Sequence, residues 1–375
     1  MTTILLLALI ALFLHPFVLY PLVLRLVPDR KRRQHAPVEP PMNVALVICA
    51  LNEEKVMRQK LENSVALDYP VNRLAIYVVN DGSTDRTSTI AHEFGTRGVK
   101  VIDREKRRGK VANLNEVIAG LTEEIVVLSD ANVIYKPDAI LRLVARFADP
   151  TVGCVSGKVI LGDTTAALRG GEENYYSIEW FLQQKASDIY SMCGSDGAMH
   201  AFRRRLFTAC PTDTLIEDFV QPMQIVAKGY RTVYEPGAVA WERGPETIGE
   251  EYRRKVRIAA GAAQALIRGN GVPANCPLEF WFVWTSHKLL RWLSPVVGLG
   301  VILVAALAPE LTLSRLVLLG VAALALLAGL RWATGWSNPL LNAPFYFLFG
   351  QVAVLVGLFR GVRGTQSVMW AKADR

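Results

Sequence analysis

At 375 residues the chain is longer than one ordinary domain, and 51% hydrophobic content with a mean hydropathy of +0.24 is too apolar for a wholly soluble protein of that size. Its net charge of +8 does not point to nucleic acid, because the basic residues gather beside apolar segments and in one loop, which suits anionic lipid and a sugar nucleotide better. Cys49, Cys154, Cys193, Cys210 and Cys276 are odd in number and form no Cys-x-x-Cys pair, so neither a disulfide framework nor a zinc site is indicated, and a reducing compartment fits.

Residues 4–24 form an uncharged apolar stretch long enough to cross a bilayer, followed directly by Arg25, Arg30, Lys31, Arg32 and Arg33. A cleaved signal peptide would carry basic residues before the apolar run and a small-x-small site after it, and neither is present. The pattern predicts a retained anchor at 1–27, a basic, proline-bearing linker at 28–42, and a cytosolic domain beyond it.

From Asn43 the pattern alternates: strand Val44–Ala50, helix Glu53–Leu67, strand Leu74–Asn80, helix Arg86–Phe94, strand Val99–Asp103, helix Lys110–Gly120 and strand Ile125–Ser129. This is a right-handed parallel βαβ succession, a Rossmann-like half of an α/β domain spanning about 43–270. In such sheets ligands bind beyond the strand C-termini. There the first strand offers Ala50, Asn52 and Glu53, the second Asp81, and the fourth Asp130-Ala131-Asn132. Asp-x-Asn sets two oxygen ligands on one side of an extended backbone, as a hard cation bridging a diphosphate requires. Each turn alone reads equally as a helix cap, but polar groups ending three strands on one edge favour a site.

The helix after the third strand opens in Arg104-Glu105-Lys106-Arg107-Arg108-Gly109-Lys110, a plausible diphosphate cradle without Walker spacing; alone it would be a solvated basic turn. A helix follows Lys136-Pro137-Asp138, and 151–215 is less regular. There the glycines beside Asp196 suggest close approach of backbone to ligand, and His200 reads as a packed histidine. Glu217 and Asp218 open a helix inside an apolar run, where the macrodipole alone could explain them or a general base could reside. Arg254, Lys255 and Arg257 start another helix, a basic face or, beside a diphosphate, a charge clamp.

The remainder suggests membrane. Aromatic and basic residues at 276–292 predict an interfacial helix, apolar runs at 293–308, 311–330 and 340–359 predict C-terminal membrane segments within 293–360, and 361–375 is a basic tail. Three spans would leave the tail outside, whereas Arg360, Arg363, Lys372 and Arg375 argue for inside. The two agree only if one run is re-entrant or interfacial, and 340–359, with Pro339 and Pro344, is the candidate.

The ordered set Ala50-Leu51-Asn52-Glu53-Glu54, Asp81-Gly82-Ser83-Thr84-Asp85, Gly109-Lys110, Ser129-Asp130-Ala131-Asn132, Glu217-Asp218 and Arg254-Lys255-Val256-Arg257-Ile258 resembles the membrane-bound family-2 glycosyltransferases. That group includes synthases of hyaluronan, chitooligosaccharide, cellulose and poly-N-acetylglucosamine. The resemblance implies a GT-A fold and inverting transfer from a nucleotide-sugar, of the UDP type, to a saccharide or lipid-linked acceptor at a cell membrane, with the product a β-linked polysaccharide, oligosaccharide or glycolipid.

By position, the resemblance puts Ala50, Asn52, Glu53 and Asp81 on the base and ribose, and Lys110, Arg254 and Arg257 near the diphosphate. Asp130 and Asn132 would meet Mg²⁺ or Mn²⁺, and Asp218, with Glu217 beside it, would deprotonate the acceptor. Two departures stand out: Asn132 replaces the second acid of the metal motif, and Gln-x-x-Arg-Trp keeps only its arginine, with Arg254 and Ile258 in the outer places. The alternative is a membrane scaffold that only binds nucleotide-sugar. Sugar, linkage and oligomeric state are not legible.

Overall fold

In a computed structural model, which describes residues 1–28, 41–162, 171–244, 247–336 and 338–369, eight strands form one sheet. They are β1 (Val44–Ala50), β2 (Leu74–Asn80), β3 (Val99–Asp103), β4 (Ile125–Asp130), β5 (Val133–Tyr135), β6 (Val152–Gly162), β7 (Met199–Arg203) and β8 (Arg231–Arg243), in the order β3-β2-β1-β4-β7-β6-β8-β5. Most of the linker, 29–40, and the tail residues Lys372 and Arg375 lie outside the described residues.

The first four strands are mutually parallel, and the apolar runs that predict them bury both faces. Leu46, Ile48 and Val127 enter one core; Ala45, Val47, Val126 and Leu128 enter the other. Register pairs Ala50 with Asn80, Asn80 with Asp103 and Cys49 with Asp130, so four strands release their last residues along one edge. Beyond β4 the sheet is mixed: β7 runs antiparallel to β4 and β6, β6 is parallel to β8, and β5 is antiparallel to β8. Only Ala131 and Asn132 separate β4 from β5, yet β5 occupies the far edge. The sheet therefore curls into a half-barrel that brings its last strand back beside its fourth.

A further core lies under this edge. Phe219 and Met223, from the helix Glu217–Ala227, pack with Phe280, Val283, Trp284 and Trp292 of the helix Leu278–Leu307, and the Phe219 and Trp292 rings meet edge-on at 5.2 Å. The aromatic, basic segment at 276–292 and the apolar run at 293–308 are one continuous helix. The first half of that helix buries Phe280, Trp284 and Trp292 against the sheet domain, while Trp281 and Phe282 stay partly exposed.

Among the described residues, four helices are long and apolar enough to cross a membrane: Thr2–Leu26, Leu278–Leu307, Thr312–Thr334 and Pro339–Arg363. The last of these also lies along the helix Ile248–Arg268. A Cβ on Gly357 would stand 2.4 Å from the Val256 carbonyl oxygen, and one on Gly361 2.4 Å from that of Ala260. These two glycines, four apart, let the backbones touch. Gly357→Leu should therefore lower stability by about 1–3 kcal/mol through overpacking. Thermal unfolding of the purified protein in detergent measures it, and an unchanged midpoint would refute the packing argument. After Arg363 the chain turns toward the sheet edge: Met369 Sδ lies 3.9 Å from where a Cβ on Gly109 would be.

Candidate active site

The turns after β1 and β2 are fastened to one another. Asn52 takes a left-handed backbone conformation (φ 55°), and its N–H donates to Ser83 Oγ at 2.8 Å while its Oδ1 accepts the Thr84 N–H at 2.8 Å. The Glu53 N–H donates to Thr87 Oγ1 at 2.7 Å, and the Ala50 carbonyl accepts the Asp81 N–H at 2.9 Å. Asp81 itself holds the basic loop. Its carboxylate accepts the Arg108 N–H at 2.7 Å, the Gly109 N–H at 3.0 Å and an Asn113 side-chain N–H at 2.7 Å. Two loop N–H groups expected to cradle a diphosphate are thus engaged within the chain, while the Lys110 side chain projects onward.

Lys110 is the junction of the site. Its ammonium donates to Asp130 Oδ1 at 2.9 Å and lies 2.9 Å from Glu217 Oε1, joining the end of β4 to the start of the helix Glu217–Ala227. Burial works to raise the Glu217 carboxyl, but Lys110 and then Arg257 outweigh it and hold it down to about 2. Asp218 goes the other way: burial first, then the Glu217 charge, push it up to about 6. Two adjacent carboxyls thereby take opposite characters, one a fixed anion and one poised to exchange a proton near neutrality.

The position of Asp218 follows from Pro222, four residues on, which has no N–H to give the Asp218 carbonyl. That carbonyl instead accepts the Ser195 N–H at 2.9 Å and the Ser195 hydroxyl at 3.0 Å, tying the loop Gly194–Gly197 to the helix start. Gly197 is required there, since a Cβ on it would stand 2.8 Å from Asp218 Oδ2.

Two further groups at this centre, Asp196 and Glu242, were given no role by sequence reasoning. Burial, with the Glu242 charge second, pushes Asp196 up to about 7. Asn132 donates its amide to Glu242 Oε1 at 3.4 Å, beside the half-exposed Trp241 on β8. The Gly-Ser-Asp-Gly pattern was the one available signal for Asp196; Glu242, 110 residues from Asn132, had none. His200 is buried with Nδ1 2.9 Å from the Asp196 carbonyl oxygen. Arg257 is close enough to help hold Glu217 down and to oppose the rise of Asp218, whereas Arg254 pairs with buried Glu251 at 2.7 Å.

Lys60 is fully buried beneath the Asp130–Asn132 turn, donating to Ser129 Oγ at 2.7 Å and the Val133 carbonyl at 2.6 Å. These two bonds clamp both sides of the turn. Burial pulls Lys60 down to about 7, so between there and its ordinary value near 10.4 the unfolded chain binds the extra proton, and this group's contribution to stability rises with pH. Lys60→Met should weaken donor affinity by disordering the turn, and the stability difference between wild type and variant should move in favour of wild type above about pH 7. Denaturant melts across pH 6–9.5 check this; parallel pH profiles for the two proteins would refute it.

A curled, mixed sheet with acidic groups at the carboxyl ends of its parallel strands is the GT-A arrangement of glycosyltransferases. Residues 40–261 match the family model "Glycosyltransferase like family 2", and the chain belongs to that family; it is a glycosyltransferase. Among curated relatives, a poly-β-1,6-N-acetyl-D-glucosamine synthase of Staphylococcus epidermidis is 27% identical over 264 residues, 69% of this chain and 60% of the relative. One of Staphylococcus aureus strain COL is 26% identical over 231 residues, 60% of this chain and 56% of the relative. The match thus spans less than two thirds of those relatives' length. A solved mannosyltransferase of Pyrobaculum calidifontis, in complex with GDP-Man and Mn²⁺, shares the fold with a TM-score of 0.76 and 22% identity, covering 98% of this chain and 100% of its own.

Proposed function

We propose that the chain moves a sugar from a nucleotide-sugar, of the UDP type, to the hydroxyl of a saccharide or lipid-linked acceptor at the cytosolic face of the membrane, with inversion. The observation that carries this reading is the junction at Lys110. It brings Asp130, at the end of β4, to Glu217 and hence to Asp218, which is partly buried and raised to about 6. Asp218 accepts the acceptor O–H proton as that oxygen bonds the anomeric carbon from the face opposite the diphosphate. The anomeric C–O bond breaks and its electron pair leaves on the diphosphate. Arg257 and Lys110 oppose the charge that develops there.

The donor set suits Mg²⁺ or Mn²⁺. Asp130 supplies a carboxylate and Asn132 an amide oxygen, and among the described residues no group of three His, Cys, Asp or Glu stands together. Such a site needs diphosphate oxygens and water to complete a cation's shell, the usual mode for these metals. When bound, the cation would neutralise diphosphate charge. The solved mannosyltransferase's complex with Mn²⁺ supports this reading.

Incubation with a panel of sugar nucleotides, including UDP-N-acetylglucosamine and GDP-mannose, tests the proposal. Release of nucleoside diphosphate from one of them is expected, and release from none would leave a binding scaffold. Product length is a separate expectation. Ile258 is 41% exposed and offers no aromatic face to a sugar ring, so one or a few transfers per encounter are expected. With acceptor in large excess and enzyme limiting, long polymer beside unused acceptor would overturn this.

A further inference from the structure

The two cations that act on Glu217, Lys110 and Arg257, ride on helices that also grip the segment leading up to it. Residues 211–216 belong to no strand or helix, so their place is set largely by side chains from elsewhere. At the near end Asn115, on the helix Lys110–Gly120, donates its amide to the Cys210 carbonyl at 2.7 Å and accepts the Cys210 N–H at 3.1 Å. At the far end the grip comes from the helix Ile248–Arg268, which carries Arg257.

Arg257, Gly261, Gln264 and Arg268 are spaced three or four apart on that helix and so share one face. They meet the segment in reverse order. Arg268 donates to both oxygens of the Asp213 carboxylate, at 2.9 and 2.5 Å. Gln264 donates its amide to the Asp213 carbonyl at 2.9 Å and accepts the Leu215 N–H at 3.1 Å. Gly261 makes room for Ile216, since a Cβ there would stand 2.7 Å from Ile216 Cγ2. Arg257, last in the series, is close enough to Glu217 and Asp218 to act on both charges. Helix and segment therefore run antiparallel in one register from Asp213 to Asp218. Hydrogen bonds weaken steeply with misalignment, so the two at Gln264 resist any slide of the helix past the segment.

We propose that Gln264, assisted by Arg268, is a positioning residue for the transfer: by fixing this register it holds the Arg257 guanidinium where the donor's diphosphate lies. Gln264 touches no substrate and acts through Arg257. The inference rests on the role given to Arg257 above, that of opposing the diphosphate charge. A role confined to holding the fold together would make the loss on removing Gln264 the same with and without Arg257.

Calorimetric titration of the full chain in detergent with UDP and with GDP, each in the presence of Mn²⁺, gives a readout that needs neither acceptor nor turnover. For the nucleotide that the wild type binds more tightly, Arg257→Ala is expected to weaken binding about thirtyfold, as loss of a hydrogen bond to a charged group does. Gln264→Leu should weaken it at least tenfold and Arg268→Gln about fivefold. In the Arg257→Ala background, Gln264→Leu should cost less than about twofold more, because the group it positions is gone. Arg268→Lys, which keeps a charge against Asp213, should stay within about twofold of wild type. Arg268→Gln removes only an exposed ion pair and spares the fold, so it decides the matter even where Gln264→Leu does not fold.

Losses that multiply in the double variant would overturn the proposal. So would unchanged affinity in Gln264→Leu and Arg268→Gln beside a weakened Arg257→Ala, which would leave the role of Arg257 standing. A wild type that bound neither nucleotide would overturn the donor reading and this proposal with it.

Discussion

Asp218→Asn is expected to lower turnover roughly 10²–10⁴-fold while nucleotide-sugar affinity stays within about twofold, because the amide keeps the shape of the carboxyl but cannot take a proton. In the wild type the rate should rise through about pH 6, the value to which burial and the Glu217 charge push Asp218. The acid limb should be missing from the residual rate of the variant. Stability should move the opposite way. A carboxyl raised above its unfolded value stabilises the fold at low pH and loses that contribution as pH rises through about 6, so the variant should gain stability relative to wild type above that pH. Steady-state rates and calorimetric melts from pH 5 to 8 measure both. A variant that kept a tenth of the wild-type rate, about 1.4 kcal/mol of barrier, would remove Asp218 from the role of base.

Asp130→Ala should weaken metal-dependent donor binding at least 10–100-fold and leave metal-free binding nearly unchanged. It removes the one carboxylate of the Asp-x-Asn pair and one of the two anions on Lys110. Titration calorimetry with nucleoside diphosphate, with and without Mn²⁺, decides it: equal metal enhancement in the two proteins would show that Asp130 is not a ligand. Restoring the missing acid by Asn132→Asp has a hidden cost, because Glu242 lies 3.4 Å from the amide it would replace. Two carboxylates at that distance disfavour each other's charge. The gain in metal affinity should therefore emerge fully only when Glu242→Gln accompanies it.

How much of this was legible depends on sequence distance. The bounds of β1, β2 and β3 match the apolar runs, because buried parallel strands advertise themselves as continuous Val, Ile and Leu. The edge where they end could be drawn from the same pattern. The second half of the sheet could not: β6, β7 and β8 pair across some 40 to 80 residues, and Gly157 interrupts the run that would have marked β6. The site divides in the same way. Lys110, Asp130, Glu217 and Asp218 were each visible at a strand end or helix start, and the structure brings them together. Lys60 looks like any lysine of a charged helix, and only the sheet above reveals that it is buried. Glu251, which pairs with Arg254, was equally hidden, being an ordinary first-turn acid in the sequence.

Pro222 has a consequence for how the enzyme can be controlled. In an uninterrupted helix the first-turn carbonyls are secured by the helix itself, and the orientation of a side chain there is a local matter. With that rung of the ladder removed, the carbonyl of Asp218 is fastened by Ser195, more than twenty residues earlier in the chain, on a loop flanked by the glycines Gly194 and Gly197. The aim of the Asp218 side chain is thus a tertiary property, set by a loop outside the helix that carries it. A change that shifts this loop therefore reaches the group that would deprotonate the acceptor without touching the acceptor itself.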